Sequence, residues 1–372
     1  MNTLQRNNGK EFMPVTRNTK NVPYYLLGFG AFASLGGMVD ARRGRESGGA
    51  LFYLDRFFRD AKLSLPARAG DKVVFVDTSS EPTVENIDSL TGEAKAYFGT
   101  KAPCCVTGIG GGSVLDTAKA VANLLTNPGR AEDYQGWELV KNPAVYKIGV
   151  PTLAGTGAEC SRTCVLLNRK RGLKLGMNSD FTVYDQILLD PELTRSAPCD
   201  QFFFTGTDTF MHCFESLRGS YRNIIVDRLS ETAVGLCRDI FLGPDDMKAD
   251  GNLENMMVAS YLGGMAAGNT GVVHPVSAAL STVLHLPHGK ANCYALSALG
   301  DFYPEERALL MEMKAKNKID MPEGICRNLP DDRYEALYQA GIIHENPLSN
   351  ALGPEYKEIL SRDRLVSIFK AM

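Results

Sequence analysis

Gly108-Ile109-Gly110-Gly111-Gly112-Ser113-Val114-Leu115-Asp116-Thr117-Ala118-Lys119 follows a short apolar run that ends at Val106-Thr107. It opens a segment whose apolar residues Val114, Leu115, Ala118, Val121, Ala122 and Leu125 recur at helical spacing. Glycines at a strand-to-helix turn let the backbone approach a phosphate closely, and the free N–H groups of a helix start attract negative charge. A pyrophosphate cradle is therefore expected, with Gly110, Gly111, Gly112, Ser113 and Asp116 as cofactor candidates. The plain alternative, a tight turn that needs positive φ, requires fewer glycines than stand here. The pattern is not G-x-G-x-x-G, because Ser113 takes the place of the third glycine. Asp55, the better candidate for the ribose, precedes the glycines, an order that argues against a simple Rossmann fingerprint.

Outward from this turn, short β-type runs alternate with helical patterns. Ala50-Leu51-Phe52-Tyr53-Leu54, Lys72-Val73-Val74-Phe75-Val76, Cys104-Cys105-Val106 and Lys147-Ile148-Gly149-Val150 read as buried strands. Helical stretches run from Glu85 to Tyr97 and from Val114 to Leu125, and a hairpin and further strand lie near Asn168–Gly172 and Asp180–Asp190. The alternation predicts a parallel sheet with helices on its faces. From about Leu193 the chain reads as helices joined by Gly, Pro and Asn turns. The expected division is a dinucleotide-binding α/β domain over residues 1–192 and a helical domain over 193–372. A second polar turn, Pro151-Thr152-Leu153-Ala154-Gly155-Thr156-Gly157-Ala158-Glu159, follows the strand at Val150 and is expected to line the same crevice.

The bulk numbers exclude several classes. With 372 residues, 44% hydrophobic and 22% charged, and a formal charge of −3, nothing favours nucleic acid as a partner. No stretch approaches the roughly 18 uninterrupted apolar residues needed to span a bilayer. The first 22 residues, with Asn2, Gln5, Asn7, Asn8 and Lys10, lack a signal-peptide core. Nine scattered cysteines without a C-x-x-C pair indicate reduced thiols and a cytoplasmic protein. Cys104, Cys105 and Cys213 are expected to be packing residues.

Histidine is scarce: five in the chain, with His212, His274, His285 and His288 close together in sequence. Asp208 and His212 are four apart, so on a helix they share one face, beside an apolar face of Phe210, Met211, Phe214 and Leu217. A carboxylate and an imidazole so placed can share a cation. His274 lies in the apolar run Val272–Leu284, and a buried histidine needs a partner. On one unbroken helix His274 and His288 would stand about 21 Å apart. Pro287 and Gly289 supply a break that could bring His288 back. The candidate ligands of one divalent metal are thus Asp208, His212, His274 and His288, and a set of satisfied core histidines is the alternative. His285 is expected to be a cap or pocket wall, and His344 to be structural.

Together the glycine loop from Gly110 to Lys119, the turn from Pro151 to Glu159, the Asp208 and His212 pair, and His274 followed by Pro287-His288-Gly289 resemble the iron-containing (group III) alcohol dehydrogenases, over about Gly28 to Tyr303. The resemblance implies the fold shared with dehydroquinate synthase: an α/β dinucleotide-binding domain, an all-helical metal-binding domain and a metal between them. It implies Asp208, His212, His274 and His288 as metal ligands and catalytic centre. Gly111, Gly112 and Ser113 match its pyrophosphate loop, Thr152 and Thr156 its second cofactor loop, and Lys174 its cofactor lysine. Asp55 matches the aspartate that favours NAD over NADP. The metal would be zinc by preference, with iron the other candidate, and the assembly a homodimer. Two features depart: where many members carry a further histidine four residues after His274, this chain has Ala278, and where many have A-H-P-L-G it has Ser277-Ala278-Ala279-Leu280-Ser281. A proton would then leave through water, a ribose hydroxyl or His285.

Phe204–Cys213, Ser220-Tyr221-Arg222-Asn223 and His344-Glu345-Asn346-Pro347-Leu348 are similar to the 3-deoxy-manno-octulosonate 8-oxidase subgroup, which oxidises a sugar for lipopolysaccharide biosynthesis. The implied reaction is oxidation of an alcohol on a small sugar-like substrate, with hydride passing to NAD. Arg218 or Arg222 would anchor an acidic substrate, unless both are surface charges that end the helix. The alternatives are a general alcohol or polyol dehydrogenase, an NAD- and zinc-dependent sugar-phosphate cyclase of the dehydroquinate synthase type, and a nucleotide-binding regulator with a structural metal.

Overall fold

The computed structural model describes residues 20–44, 48–61 and 63–372. The polar amino-terminal stretch around Asn2 to Lys10, and part of the polar loop between Ala41 and Gly49, lie outside the described residues.

Nine strands are described: β1 (Tyr24–Leu27), β2 (Leu51–Asp55), β3 (Lys72–Val76), β4 (Val106–Gly110), β5 (Gly136–Trp137), β6 (Lys147–Pro151), β7 (Thr163–Asn168), β8 (Leu173–Asn178) and β9 (Gln186–Leu189). The helices before β9 are α1 (Leu35–Asp40), α2 (Val84–Phe98) and α3 (Gly112–Leu124). Six strands form one parallel sheet in the order β1-β9-β6-β4-β2-β3. Residues 51–54 of β2 are all buried, as a strand covered on both faces requires. From β2 the chain steps to β3 on one side, then returns through α2 to β4 on the other. This reversal opens a crevice at the carboxyl ends of β2 and β4, where doubly wound sheets take their ligands. A smaller sheet holds the antiparallel hairpin β7–β8, with β5 along its edge.

The expected strands at Leu51, Lys72 and Lys147 are present, whereas the one at Cys104 begins only at Val106. Cys104 and Cys105 are buried just ahead of it, with the Cys105 carbonyl already accepting from Leu51 N–H at 3.0 Å. At its other end β4 runs on through Gly108 to Gly110, past the expected stop at Thr107. Gly108 belongs in the strand because a Cβ there would meet the Tyr184 hydroxyl at 2.8 Å and Ala118 Cβ at 2.9 Å. It lets α3 pack closely on the sheet.

Beyond β9 the described chain is helical: α4 (Cys199–Arg218), α5 (Ile224–Leu242), α6 (Asp250–Ala266), α7 (Val273–Leu284), α8 (His288–Ala298), α9 (Pro304–Lys316), α10 (Asp331–Ile342), α11 (Glu345–Leu352), α12 (Tyr356–Ile359) and α13 (Arg362–Lys370). Helix α4 is the pillar of this half, buried on every side from Phe202 to Ser216 and packed against α5, α6 and α8. A helix covered all round must satisfy its polar side chains internally or bind something with them. Asp208, His212 and Glu215 are its buried carboxylate and imidazole groups.

Candidate metal centre and cofactor cleft

Helix α7 stops at Leu284 because His285 adopts left-handed backbone geometry at φ 58°, and Pro287 then caps α8. His285 is thus the cap and pocket wall expected of it. The break returns His288 to the side of His274, and both face the i,i+4 pair on α4. One ligating atom from each of Asp208, His212, His274 and His288 lies within 4.8 Å of all the others. From the Asp208 carboxylate, the Nε2 atoms of His274, His288 and His212 stand at 3.4, 3.6 and 3.7 Å. Donors roughly 2.1 Å from a tetrahedral ion lie about 3.4 Å apart, so the spacing fits one cation.

The electrostatics fit as well. Asp208 Oδ2 and His274 Nε2 are buried with no hydrogen-bond partner, which a cation between them would satisfy. Burial pushes His212 down to about 4, against the pull of Asp208. Burial and then the Lys174 ammonium push His288 down to about 3. Both rings are neutral at pH 7 and offer lone pairs. Burial alone would raise Asp208, but His212, His288 and His274 together hold its carboxyl well below the usual range.

His274 differs. Burial would lower it, yet Glu215 and Asp208 outweigh that and raise it to about 9. Its Nδ1 donates to Glu215 at 2.5 Å, which directs Nε2 at the cluster. Glu215 also accepts from Val273 N–H at 2.6 Å, fixing the start of α7 against α4. Asn292, one turn after His288, donates to Asp208 at 2.6 Å. Glu215 and Asn292 are absent from the expected set. Their signal is positional: Glu215 repeats the face of Asp208 and His212 seven and three residues on, and Asn292 repeats that of His288 four residues on.

The cluster opens into a cleft of 1380 Å³, more than the roughly 300–1,000 Å³ of most small-molecule pockets. It has room for a dinucleotide beside a substrate. Gly111, Gly112 and Ser113 line it at the start of α3, whose amino end has no side-chain cap and leaves its N–H groups for an anion. No described glycine from 108 to 112 has positive φ, so the turn alternative does not account for them. Gly112 owes its size to Thr156, whose Oγ1 would lie 3.0 Å from a Cβ. Thr152 and Thr156 line the cleft beside that turn, Thr152 N–H donating to the Gly110 carbonyl at 3.0 Å. Asp55 lines it at the end of β2, pinned by Thr78 Oγ1 at 3.1 Å.

Other candidates land differently. Gly110 is the last residue of β4, buried behind the cleft wall, where a Cβ would strike Val114 at 2.6 Å; it packs rather than lines. Asp116 reaches the cleft but spends Oδ2 on Val165 N–H at 2.9 Å, and burial pushes it up to about 6. Lys174 lines the cleft and pairs with Glu81 at 3.0 Å, while Glu81 also takes the His288 backbone N–H. That clasp joins the sheet domain to the ligand helix. Neither arginine is free for a substrate. Arg218 is held by Glu305 and Glu306, and Arg222 pairs with Asp227 and donates to the Leu217 carbonyl, closing the end of α4. His344, expected to be structural, stands on the cleft wall.

Comparison with known proteins agrees with this geometry. Residues 25–191 match the family profile described as iron-containing alcohol dehydrogenase, and residues 202–335 the one described as Fe-containing alcohol dehydrogenase family, C-terminal. A sulfoacetaldehyde reductase of Bilophila wadsworthia is 36% identical over 252 residues, 64% of this chain and 63% of that protein. The chain thus spans less than two thirds of that relative's length. A probable alcohol dehydrogenase, EutG, of Salmonella typhimurium is 29% identical over 291 residues, 75% of this chain and 71% of that one. Among solved structures, a sulfoacetaldehyde reductase from Bifidobacterium kashiwanohense in complex with NAD+ shares the fold at TM-score 0.77 and 21% identity, covering 95% of this chain and 98% of that one. A 1,3-propanediol oxidoreductase does so at TM-score 0.78 and 21% identity, covering 96% and 99%. With its sheet domain and its helical domain each matching the corresponding part of one family, this chain belongs to the iron-containing alcohol dehydrogenases.

Proposed function

We propose that the protein interconverts an alcohol and its carbonyl compound, using NAD and one divalent cation, zinc or ferrous iron. The observation that carries this is the convergence of Asp208 and three histidines, distant in sequence, within 4.8 Å at the wall of a cleft that also holds the uncapped start of α3. The bound cation supplies Lewis acidity toward an alcohol oxygen, and NAD supplies the hydride acceptor.

The protein's own groups do the rest. Asp208, His212, His274 and His288 would hold the cation, with Glu215 and Asn292 orienting the rings and carboxylate as outer partners. The N–H groups from Gly111 to Ser113 receive the pyrophosphate, with Thr152 and Thr156 beside them. Asp55 repels a 2′-phosphate and so favours NAD over NADP. Helix α7 turns His274, Ala278 and Ser281 toward the cleft, and His285 just beyond it lines the same wall. Ala278 carries no proton, and the imidazoles on the cleft wall other than the four-residue cluster are His285 and His344.

Within this activity we assign a small polar, hydroxylated substrate. The subgroup-like stretches favour the 8-hydroxyl of 3-deoxy-manno-octulosonate, because Tyr221, Arg222, Asn223, His344, Glu345 and Asn346 all line the cleft. The engagement of Arg222 with Asp227 favours a neutral alcohol instead. The nine free cysteines accord with a cytoplasmic protein, and the family resemblance with a homodimer.

The test is NADH formation by purified protein given NAD and a panel of alcohols that includes the octulosonate. Chelation should abolish turnover and added zinc or ferrous iron should restore it, with Asp208→Asn inactive under every metal. Turnover that survives complete metal removal would sink the proposal. Release of phosphate without NADH would point to the cyclase.

A further inference from the structure

His344 sits in the turn between α10 and α11, and Ile343 to Pro347 around it form one wall of the cleft. Its Nε2 is buried and has no hydrogen-bond partner. Thirteen other described side-chain atoms share that condition, among them Asp208 Oδ2 and His274 Nε2, which a cation in the four-residue cluster accounts for. His344 is not in that cluster. A buried polar atom left unpaired is costly, and on the cleft wall a bound ligand can supply the missing partner.

The chemistry of that partner can be read from the surroundings. A backbone hydrogen bond to Ala340 engages the ring. With Nε2 unpaired, Nδ1 is the nitrogen that donates to the Ala340 carbonyl. Burial and then the nearby Lys174 ammonium keep the ring neutral, so Nε2 is a lone pair rather than an N–H. Lys174 lines the same cleft, and its ammonium is a donor with Glu81 as one acceptor. A ligand group that reaches both residues meets an acceptor and a donor. An alkyl group satisfies neither, and a carbonyl oxygen satisfies only the lysine. A hydroxyl satisfies both.

We propose that His344 is a substrate-recognition residue: its Nε2 accepts a hydrogen bond from a second hydroxyl group of the alcohol being oxidised, so the site selects polyhydroxylated substrates over simple alkanols. The proposal rests on the cleft being the alcohol-oxidising site and adds to it a class of substrate and the residue that reads it.

The experiment compares glycerol with propan-1-ol, matched in carbon number, on zinc-loaded wild type, His344→Ala and His344→Gln. The ratio of kcat/KM for glycerol to that for propan-1-ol should fall on the order of tenfold in His344→Ala, the usual worth of one hydrogen bond. It should recover in part in His344→Gln, whose amide oxygen can accept; that variant also carries the test if the alanine form does not fold. A second readout needs no turnover. With ring-labelled histidine, the His344 signal, assigned by its loss in His344→Gln, should move when glycerol is added to zinc- and NAD-loaded protein and stay in place with propan-1-ol. An unchanged ratio together with an unmoved signal overturns the proposal while leaving alcohol oxidation intact. A moved signal without turnover of either alcohol sinks the oxidation and keeps the recognition. Equal losses for both alcohols in both variants, with no signal change, mean that His344 only supports the turn and contradict the proposal.

Discussion

His274 carries a proton in the metal-free protein, because Glu215 and Asp208 raise it to about 9, above the ordinary histidine value near 6.5. His212 and His288, at about 4 and about 3, are already neutral at pH 7. A cation entering the cluster therefore expels one proton, from His274, and low pH opposes binding. Apparent metal affinity should rise about tenfold per pH unit from about 6.5 to 8.5 and level off above about 9. Titration with a competing chelator at each pH measures the slope; a flat profile would contradict the protonated His274. Glu215→Gln removes the charge that raises His274 and weakens its hold on the ring. Metal affinity should fall about 10- to 100-fold while the helical circular dichroism stays intact. Of the residues in this centre, the four that cluster were legible because an i,i+4 acid–imidazole pair and scarce histidines stand out in any sequence. Glu215 and Asn292 were not, since a glutamate or asparagine on a helix face looks solvated until the helix proves to be buried.

Helix α8 brings His288 to the centre by packing directly on α4, and Gly289 makes that approach possible. A Cβ there would lie 2.4 Å from the Phe204 carbonyl oxygen. Gly289→Ala must push the two ligand helices apart, at a cost of about 1–3 kcal/mol. It should lower the melting temperature and also reduce bound metal. A loss of stability with full metal occupancy would show that the spacing of α4 and α8 does not set the site. The break that frees α8 was legible in Pro287 and Gly289, although the left-handed residue that turns the chain is His285. Strand limits were less legible. Apolarity alone extended the strand at Val106 back over Cys104 and Cys105, which are buried by loop packing, and stopped it short of Gly108 and Gly110. Those two glycines are in β4 because α3 and Tyr184 crowd it, a tertiary cause that no local pattern displays.

Across the whole molecule, the sheet's reversal between β2 and β4 sets Asp55, the glycine turn and the second polar turn at one rim, and the helical half sets the ligand cluster at the other. The alternation of strands and helices made the sheet domain legible. What joins the halves was not, because the Glu81–Lys174 clasp and its tie to His288 link three segments remote in sequence. Trp137, the single tryptophan of the chain, lines the same cleft and is 44% exposed. Saturating NADH should quench its fluorescence in a one-site curve. Asp55→Ala should leave that curve near its wild-type position and bring NADPH binding within about tenfold of it, since the repelling carboxylate is gone; NADPH binding as weak as before would remove Asp55 from cofactor choice. The central claim is that one cation sits among Asp208, His212, His274 and His288 and faces the nicotinamide. A crystal structure of the NAD- and metal-loaded protein, with anomalous scattering collected at the metal edge, tests it most directly. A single anomalous peak roughly 2.0–2.2 Å from those four side chains is predicted. A peak elsewhere, or none at full metal stoichiometry, would contradict the account.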